Sequence, residues 1–123
     1  MKTAYLSGPM RGRPNFNYDS FHAAAKKLRA NGWEVISPAE QDLKHGFDPS
    51  ILNGKDGFSN EEVREFARRD CQIIIEELRA ENGDAVAVLS EWEGSVGATA
   101  EVALGKWCRL RIIDSETEED IQC

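Results

Sequence analysis

Asp84-Ala-Val-Ala-Val-Leu-Ser-Glu-Trp-Glu-Gly-Ser-Val-Gly-Ala-Thr-Ala-Glu101 is the stretch whose reading decides the fold. It opens with a buried-strand pattern, Asp84 to Leu89. It turns through the polar residues Ser90 to Ser95 and enters a small-residue helix, Val96 to about Leu104. A strand, a loop and a helix N-terminus form the site-building unit of an open α/β sheet. Ser95 is a natural N-cap, and the amides after it lack intrahelical partners, which favours an anion there. Glu101 follows, with Gly97 four residues before it and Gly105 four after, all on one helical line. Bare glycines would leave open space for a substrate beside the carboxylate. The plainer alternative is a solvated helix glutamate next to two packing glycines.

Working outward, Thr3 to Ser7 reads as strand one, ended by Gly8-Pro9. The loop Gly8-Pro-Met-Arg-Gly-Arg-Pro-Asn15 holds Gly8, Gly12, Arg11 and Arg13. Glycine lets backbone amides approach a ligand, and arginine offers a fork suited to phosphate. A surface loop with solvated arginines is the alternative. Tyr18 to Ala30 has helical spacing and closes at Asn31-Gly32. His22 falls on its polar side without a role. Trp33 to Ser37 is strand two, stopped by Pro38, and completes a right-handed βαβ unit. Residues 38–58 read as a loop, with the roles of lid, binding wall or mobile segment all open.

Ser59-Asn-Glu-Glu62 is a capping box that opens the next helix. Its apolar stripe is Val63, Phe66, Ala67, Ile74 and Leu78, and Asp70 falls on that stripe. An acid there must be hydrogen-bonded, paired or lining a cavity. It either serves a site with Glu101 or is tied to a neighbour such as Arg69. Trp107 to Ile113 reads as strand four, and the acidic residues 115–123 as a frayed tail. Residues 1–114 thus form one α/β domain on a four- to five-stranded parallel sheet.

The chain has 123 residues, enough for one core. Its formal net charge of −7 argues against a nucleic-acid partner. A phosphate-bearing small molecule stays open if the few basic residues cluster. No run approaches the ~18 apolar residues of a membrane span, and no signal-peptide core opens the chain. Cys71, Cys108 and Cys123 form no CxxC pair and read as free thiols of a reducing cytoplasm. His22 and His45 are isolated, so no metal site is expected.

Tyr5-Leu-Ser-Gly-Pro-Met-Arg-Gly12, the helix acid Asp70, and Ser95-Val-Gly-Ala-Thr-Ala-Glu101 resemble the nucleoside 2-deoxyribosyltransferase superfamily. Within it the chain is most similar to the 2′-deoxynucleoside 5′-phosphate N-hydrolases, including a phage- or prophage-borne subfamily. The resemblance spans Thr3 to about Ile113. It implies a flavodoxin-like, Rossmann-like three-layer sandwich in a homodimer or higher homo-oligomer. It implies cleavage of the N-glycosidic bond of a nucleoside or its monophosphate, with no cofactor. By this resemblance Glu101 is the nucleophile, Asp70 assists the leaving base and Tyr5 orients the glutamate. Gly8, Arg11 and Gly12 match phosphate-loop positions, Ser95 a phosphate-contacting serine, and Gly97 the glycine before the glutamate. Trp92 could stack on the base, or be a partly exposed loop tryptophan. Three departures stand out: Pro9 where the hydrolases often have serine, a longer stretch between Asp70 and Asp84, and an early C-terminus. A base-exchanging transferase and a catalytically silent nucleotide sensor are the competing readings.

Overall fold

A computed structural model describes residues 1–44 and 58–121. The elements run β1 (Thr3–Ser7), α1 (Tyr18–Ala30), β2 (Glu34–Ile36), α2 (Pro38–Lys44), α3 (Asn60–Glu77), β3 (Ala85–Val88), α4 (Val96–Trp107) and β4 (Arg111–Asp114). The strands pair in parallel in the order β2-β1-β3-β4. Side chains alternate across the sheet. Ala4, Leu6, Ala85 and Ala87 meet Phe21, Ala25 and Leu28 of α1 on one face. Tyr5, Val86, Val88 and Ile112 meet Ile74 and Leu78, at and just past the end of α3, and Val102 of α4 on the other. This is the expected three-layer, flavodoxin-like sandwich. From β1 the chain goes one way to β2 and later returns to β3 on the other side. The crevice beyond the C-terminal ends of β1 and β3 is therefore the topological switch point.

The helix starts at Ser59 and Ser95 form as the sequence indicates. Ser59 and Glu62 exchange both capping-box bonds, and Ser95 Oγ accepts from the Ala98 amide at 3.2 Å. Gly32 takes the left-handed conformation after α1, with φ of 94°. Pro38, however, does not end structure. It opens α2, because a proline at the first helical position has no amide to leave unpaired, and the Gln41 amide closes the turn on the Ser37 carbonyl at 3.0 Å. The loop expected over 38–58 is thus helical through Lys44, while His45 and the rest of it, 45–57, lie outside the described residues.

The last helix also runs further than expected, to Trp107, so strand four starts at Arg111 instead of Trp107. Leu110 donates to the Gly105 carbonyl at 2.9 Å and Arg109 to Lys106 at 3.0 Å. That paired 6→1 and 5→2 pattern is a Schellman cap. Its left-handed residue is Arg109, with φ of 63°, so no glycine marks the helix end. Nor is the tail frayed through residue 121. Glu118 accepts from the Trp33 indole at 2.8 Å and from Asn31 at 2.6 Å, and Ile113 bridges Asp120 antiparallel. On α3 the stripe is covered only toward its C-terminal end: Ile74 is buried, Val63 and Phe66 are half-buried, and Ala67 is exposed.

The two glycines flanking Glu101 differ. A Cβ at Gly105 would stand 2.8 Å from Val86 Cγ2 and 3.2 Å from Ile112 Cδ1, so Gly105 is a close-packing residue and not open substrate space. A Cβ at Gly97 would meet nothing within 4 Å. Gly105→Ala is expected to destabilise by about 1–3 kcal/mol through overpacking, and Gly97→Ala to stabilise by about 0.4–1 kcal/mol. Urea unfolding of both variants checks the opposite signs.

Candidate active site

Tyr5 and Ser7 are two residues apart on β1, so both project toward α4. Tyr5 Oη donates to Glu101 Oε2 at 3.1 Å, and Ser7 Oγ donates to Oε1 at 2.6 Å. Both carboxylate oxygens of Glu101 are therefore held by hydroxyls from the sheet, and the reading of Glu101 as a solvated helix glutamate is overturned. Asp70 stands near enough to act on Glu101 electrostatically, and Arg69 Nε donates to Asp70 Oδ1 at 2.9 Å. The acid is thus tied to Arg69 and also belongs with Glu101. Arg69 Nη1 reaches on to Asp42 Oδ1 at 2.6 Å, and Tyr18 Oη donates to Asp42 Oδ2 at 2.7 Å. Sequence pattern alone marks neither Ser7 nor Asp42 for the site, and Arg69 only as a neighbour for Asp70. Ser7 could have been marked, since it shares the strand face of Tyr5; Asp42 lay in a stretch read as loop.

Burial, then the nearby Asp70 charge, push the Glu101 carboxyl up to about 8, against the pull of the Ser7 and Tyr5 bonds. Burial also raises the Asp70 carboxyl, opposed first by the Arg69 charge. Burial and then the Glu101 charge hold the Tyr5 phenol well above its ordinary value, so it stays a donor. Two carboxyls that repel each other titrate as a pair. In this pair each carboxyl favours its protonated form more than it would in water, Glu101 through burial and the Asp70 charge, and Asp70 through burial. In Asp70→Asn the like charge is gone, and Glu101 is expected to titrate below about 8 while burial keeps it above the ordinary glutamate value. Carbon-13 NMR of the side-chain carboxyls measures this directly.

Around the carboxyls lie the loops after β1 and β3. Arg13 Nη1 pairs with Glu91 Oε1 at 3.0 Å, which joins the two loops. Both carry left-handed non-glycine residues: Asn15, Phe16 and Asn17 with φ of 52°, 53° and 61°, and Glu91 with 67°. Such conformations cost about 1–3 kcal/mol each and gather at ligand-contacting loops. Gly12, with φ of 78° and nothing near a Cβ, occupies the same conformation on an open surface. Gly8 instead serves packing, since its Cβ would stand 2.8 Å from Leu89 Cβ. Arg11 is exposed and its guanidinium lies 5.9 Å from the Phe58 ring centroid. Trp92 is half-buried against the Tyr5–Val86 core cluster. His22 is half-buried with its ring edge against Tyr18.

Two surface clefts lie apart from these carboxyls. One of about 330 Å³ lies between α2 and α3 beside Arg69, and one of about 540 Å³ runs along β2. Neither is lined by Glu101, Asp70 or Tyr5. The carboxyl pair at the switch point, with its hydroxyl donors, is the better chemical site, because clefts without converging reactive groups do no chemistry. Among the described residues no three His, Cys, Asp or Glu side chains stand where they could hold a metal ion, and no helix is long and apolar enough to cross a membrane.

Fold and site together define a parallel α/β protein with a hydroxyl-held carboxyl pair at its switch point. Residues 2–114 match the family described as a domain of unknown function, DUF4406, and the chain belongs to that family. Neither the curated proteins nor the solved structures contain a match to the chain.

Proposed function

We propose that this protein hydrolyses the N-glycosidic bond of a nucleoside 5′-monophosphate. The observation that carries the reading is Glu101, partly buried, fixed through both oxygens by Tyr5 and Ser7 and set beside Asp70. A carboxylate that is desolvated and aimed is a strong nucleophile, and a second carboxyl near it supplies a proton. Glu101 attacks the anomeric carbon; the bond to the base nitrogen breaks and the base takes its proton from Asp70. Water then attacks the glycosyl-enzyme ester, its proton passes to Asp70, and Glu101 is released with the sugar phosphate. The working form has Glu101 ionised and a proton on Asp70. Positive charge growing at the anomeric carbon favours ionised Glu101 and draws the proton that way. In this reading Trp92 and Gly97 contact the substrate, Gly97 because a Cβ there would meet nothing within 4 Å. The same resemblance implies a homodimer or higher homo-oligomer, with exposed Ile75, Val96 and Trp107 on α3 and α4 as apolar surface for it.

Incubation with a panel of nucleoside monophosphates, with released base followed by chromatography, tests the reading. Release of base from at least one supports it; no release from any substrate overturns it. Adding a free acceptor base separates hydrolysis from base exchange. For the phosphate, the resemblance assigns Arg11, Gly12, the Gly8 backbone and the helix start at Ser95, with the Gly8 α-position itself packed on Leu89. A charge-assisted arginine contact contributes about 1.5–3 kcal/mol and a helix terminus about 0.3–1 kcal/mol. Arg11→Ala is therefore expected to erase the preference for monophosphates over nucleosides, and Ser95→Ala to weaken it less. The ratio of kcat/KM values, nucleotide over nucleoside, is the measurement. A wild-type preference for the free nucleoside would favour the transferase reading instead.

A further inference from the structure

Three acids and one base stand in a row behind the crevice. Tyr18 Oη donates to Asp42 Oδ2 at 2.7 Å, Arg69 Nη1 donates to Asp42 Oδ1 at 2.6 Å, and Arg69 Nε donates to Asp70 Oδ1 at 2.9 Å. Asp42 is only 5% exposed. A guanidinium presents its N–H groups as a rigid planar fork, so one arginine can serve two carboxylates on different edges. Here the edges belong to different elements: Asp42 is on α2, and Asp70 is beside Arg69 on α3. Fully ionised, Asp42, Asp70 and Glu101 would set three negative charges against one positive one. Such a cluster favours protonation of its acids, because uncompensated negative charge away from water is costly.

We propose that Asp42 is a positioning residue for the carboxyl pair: by taking one edge of the Arg69 guanidinium it divides that charge, and so leaves Asp70 able to hold a proton. An acid paired alone with arginine is held ionised and cannot protonate a leaving group. Asp70 sits next to a permanent cation, and would be held so if Arg69 served it exclusively. The second carboxylate, buried and fixed by the Tyr18 hydroxyl, prevents that. The other groups bearing on Asp70 are the Tyr5 hydroxyl from β1, Glu101 from α4 and its chain neighbour Cys71. Among those bearing on Asp70, Arg69 is the cationic one whose distribution α2 controls. The catalytic consequence rests on the glycosidase reading; the division of charge does not.

The test is the titration of the Asp70 side-chain carboxyl by carbon-13 NMR, assigned by its loss in Asp70→Asn, in two variants of opposite expectation. Asp42→Asn gives Arg69 wholly to Asp70, and the Asp70 titration moves to lower pH. Tyr18→Phe removes the hydroxyl that helps hold Asp42, draws Arg69 toward Asp42, and moves the Asp70 titration to higher pH. A merely structural role would loosen Asp70 the same way in both. In turnover, Asp42→Asn loses about tenfold or more at pH 8 relative to pH 6, as the acid form empties. Titrations that stay put, or move in one common direction, overturn the proposal whether or not base is released. Titrations that move apart as stated, in a protein that cleaves no nucleotide, uphold the charge division and overturn the glycosidase reading alone. If Asp42→Asn fails to fold, the upward movement in Tyr18→Phe decides the matter.

Discussion

Glu101→Gln is expected to reduce base release by on the order of 10³-fold or more, about 4 kcal/mol of barrier. The amide keeps the shape of the side chain, and Tyr5 and Ser7 can still bond to its oxygen and nitrogen. It lacks the charge and the lone-pair strength to form an ester with the anomeric carbon. Circular dichroism should show an unchanged fold. Single-turnover assays with the substrate found by the panel make the measurement. A variant retaining near wild-type turnover would remove Glu101 from the role of nucleophile.

The same substitution should alter how stability depends on pH. The Glu101 carboxyl is pushed up to about 8 in the folded protein, from an ordinary value of 4.5. A folded state that prefers the protonated acid has this stabilisation in full below about 4.5 and loses it as pH rises through about 8. Asp70, also raised by burial, acts in the same sense. Wild type is therefore expected to lose ~2–4 kcal/mol between pH 5 and pH 8.5. Glu40 and Glu118, held below their ordinary value by Arg29 and by the Trp33 indole respectively, act in the opposite sense and at lower pH. Glu101→Gln has no such carboxyl to ionise, so its Tm should change less over that range and exceed wild type at pH 8. Thermal melts at four or five pH values show it. Equal slopes for both proteins would mean that the burial of Glu101 is relieved by solvent.

These two effects also show what local pattern can and cannot disclose. Ser95 and Ser59 were legible as caps because each acts on an amide three residues away. Glu101 is marked by its place after strand and turn and Tyr5 only by the family resemblance, and the fold brings them together across 96 residues of chain. Ser7 looks only like the end of a strand, although its spacing from Tyr5 puts both on one face. Asp42 is hidden because Pro38 reads equally as a breaker and as the first residue of a helix. The Arg109 cap carried no glycine, so the last helix looked three residues shorter than it is. Gly105 looked like space for a ligand and is instead filled by Val86 and Ile112. In each missed case the deciding partner was distant in sequence, or the usual marker residue was absent.

The tail laid against β4 has a bearing on how copies of the chain behave toward one another. An outer strand offers unpaired amides and carbonyls to any strand that drifts past, and stacked chains can grow from such a contact. Here the Ile121 amide takes the Ile112 carbonyl at 2.8 Å, and the Asp114 amide is taken by the Glu119 carbonyl at 2.9 Å. Four acids, Glu116, Glu118, Glu119 and Asp120, ride on that cover. The segment lies beyond the stretch shared with the family, which ends at residue 114, yet it blunts the β4 margin of the sheet by occupying its bonding positions and by surrounding them with like charge. So bonded, the tail leaves fewer open positions on the β4 margin for a strand of another copy to pair with, and it does so with residues whose composition points only to solvent.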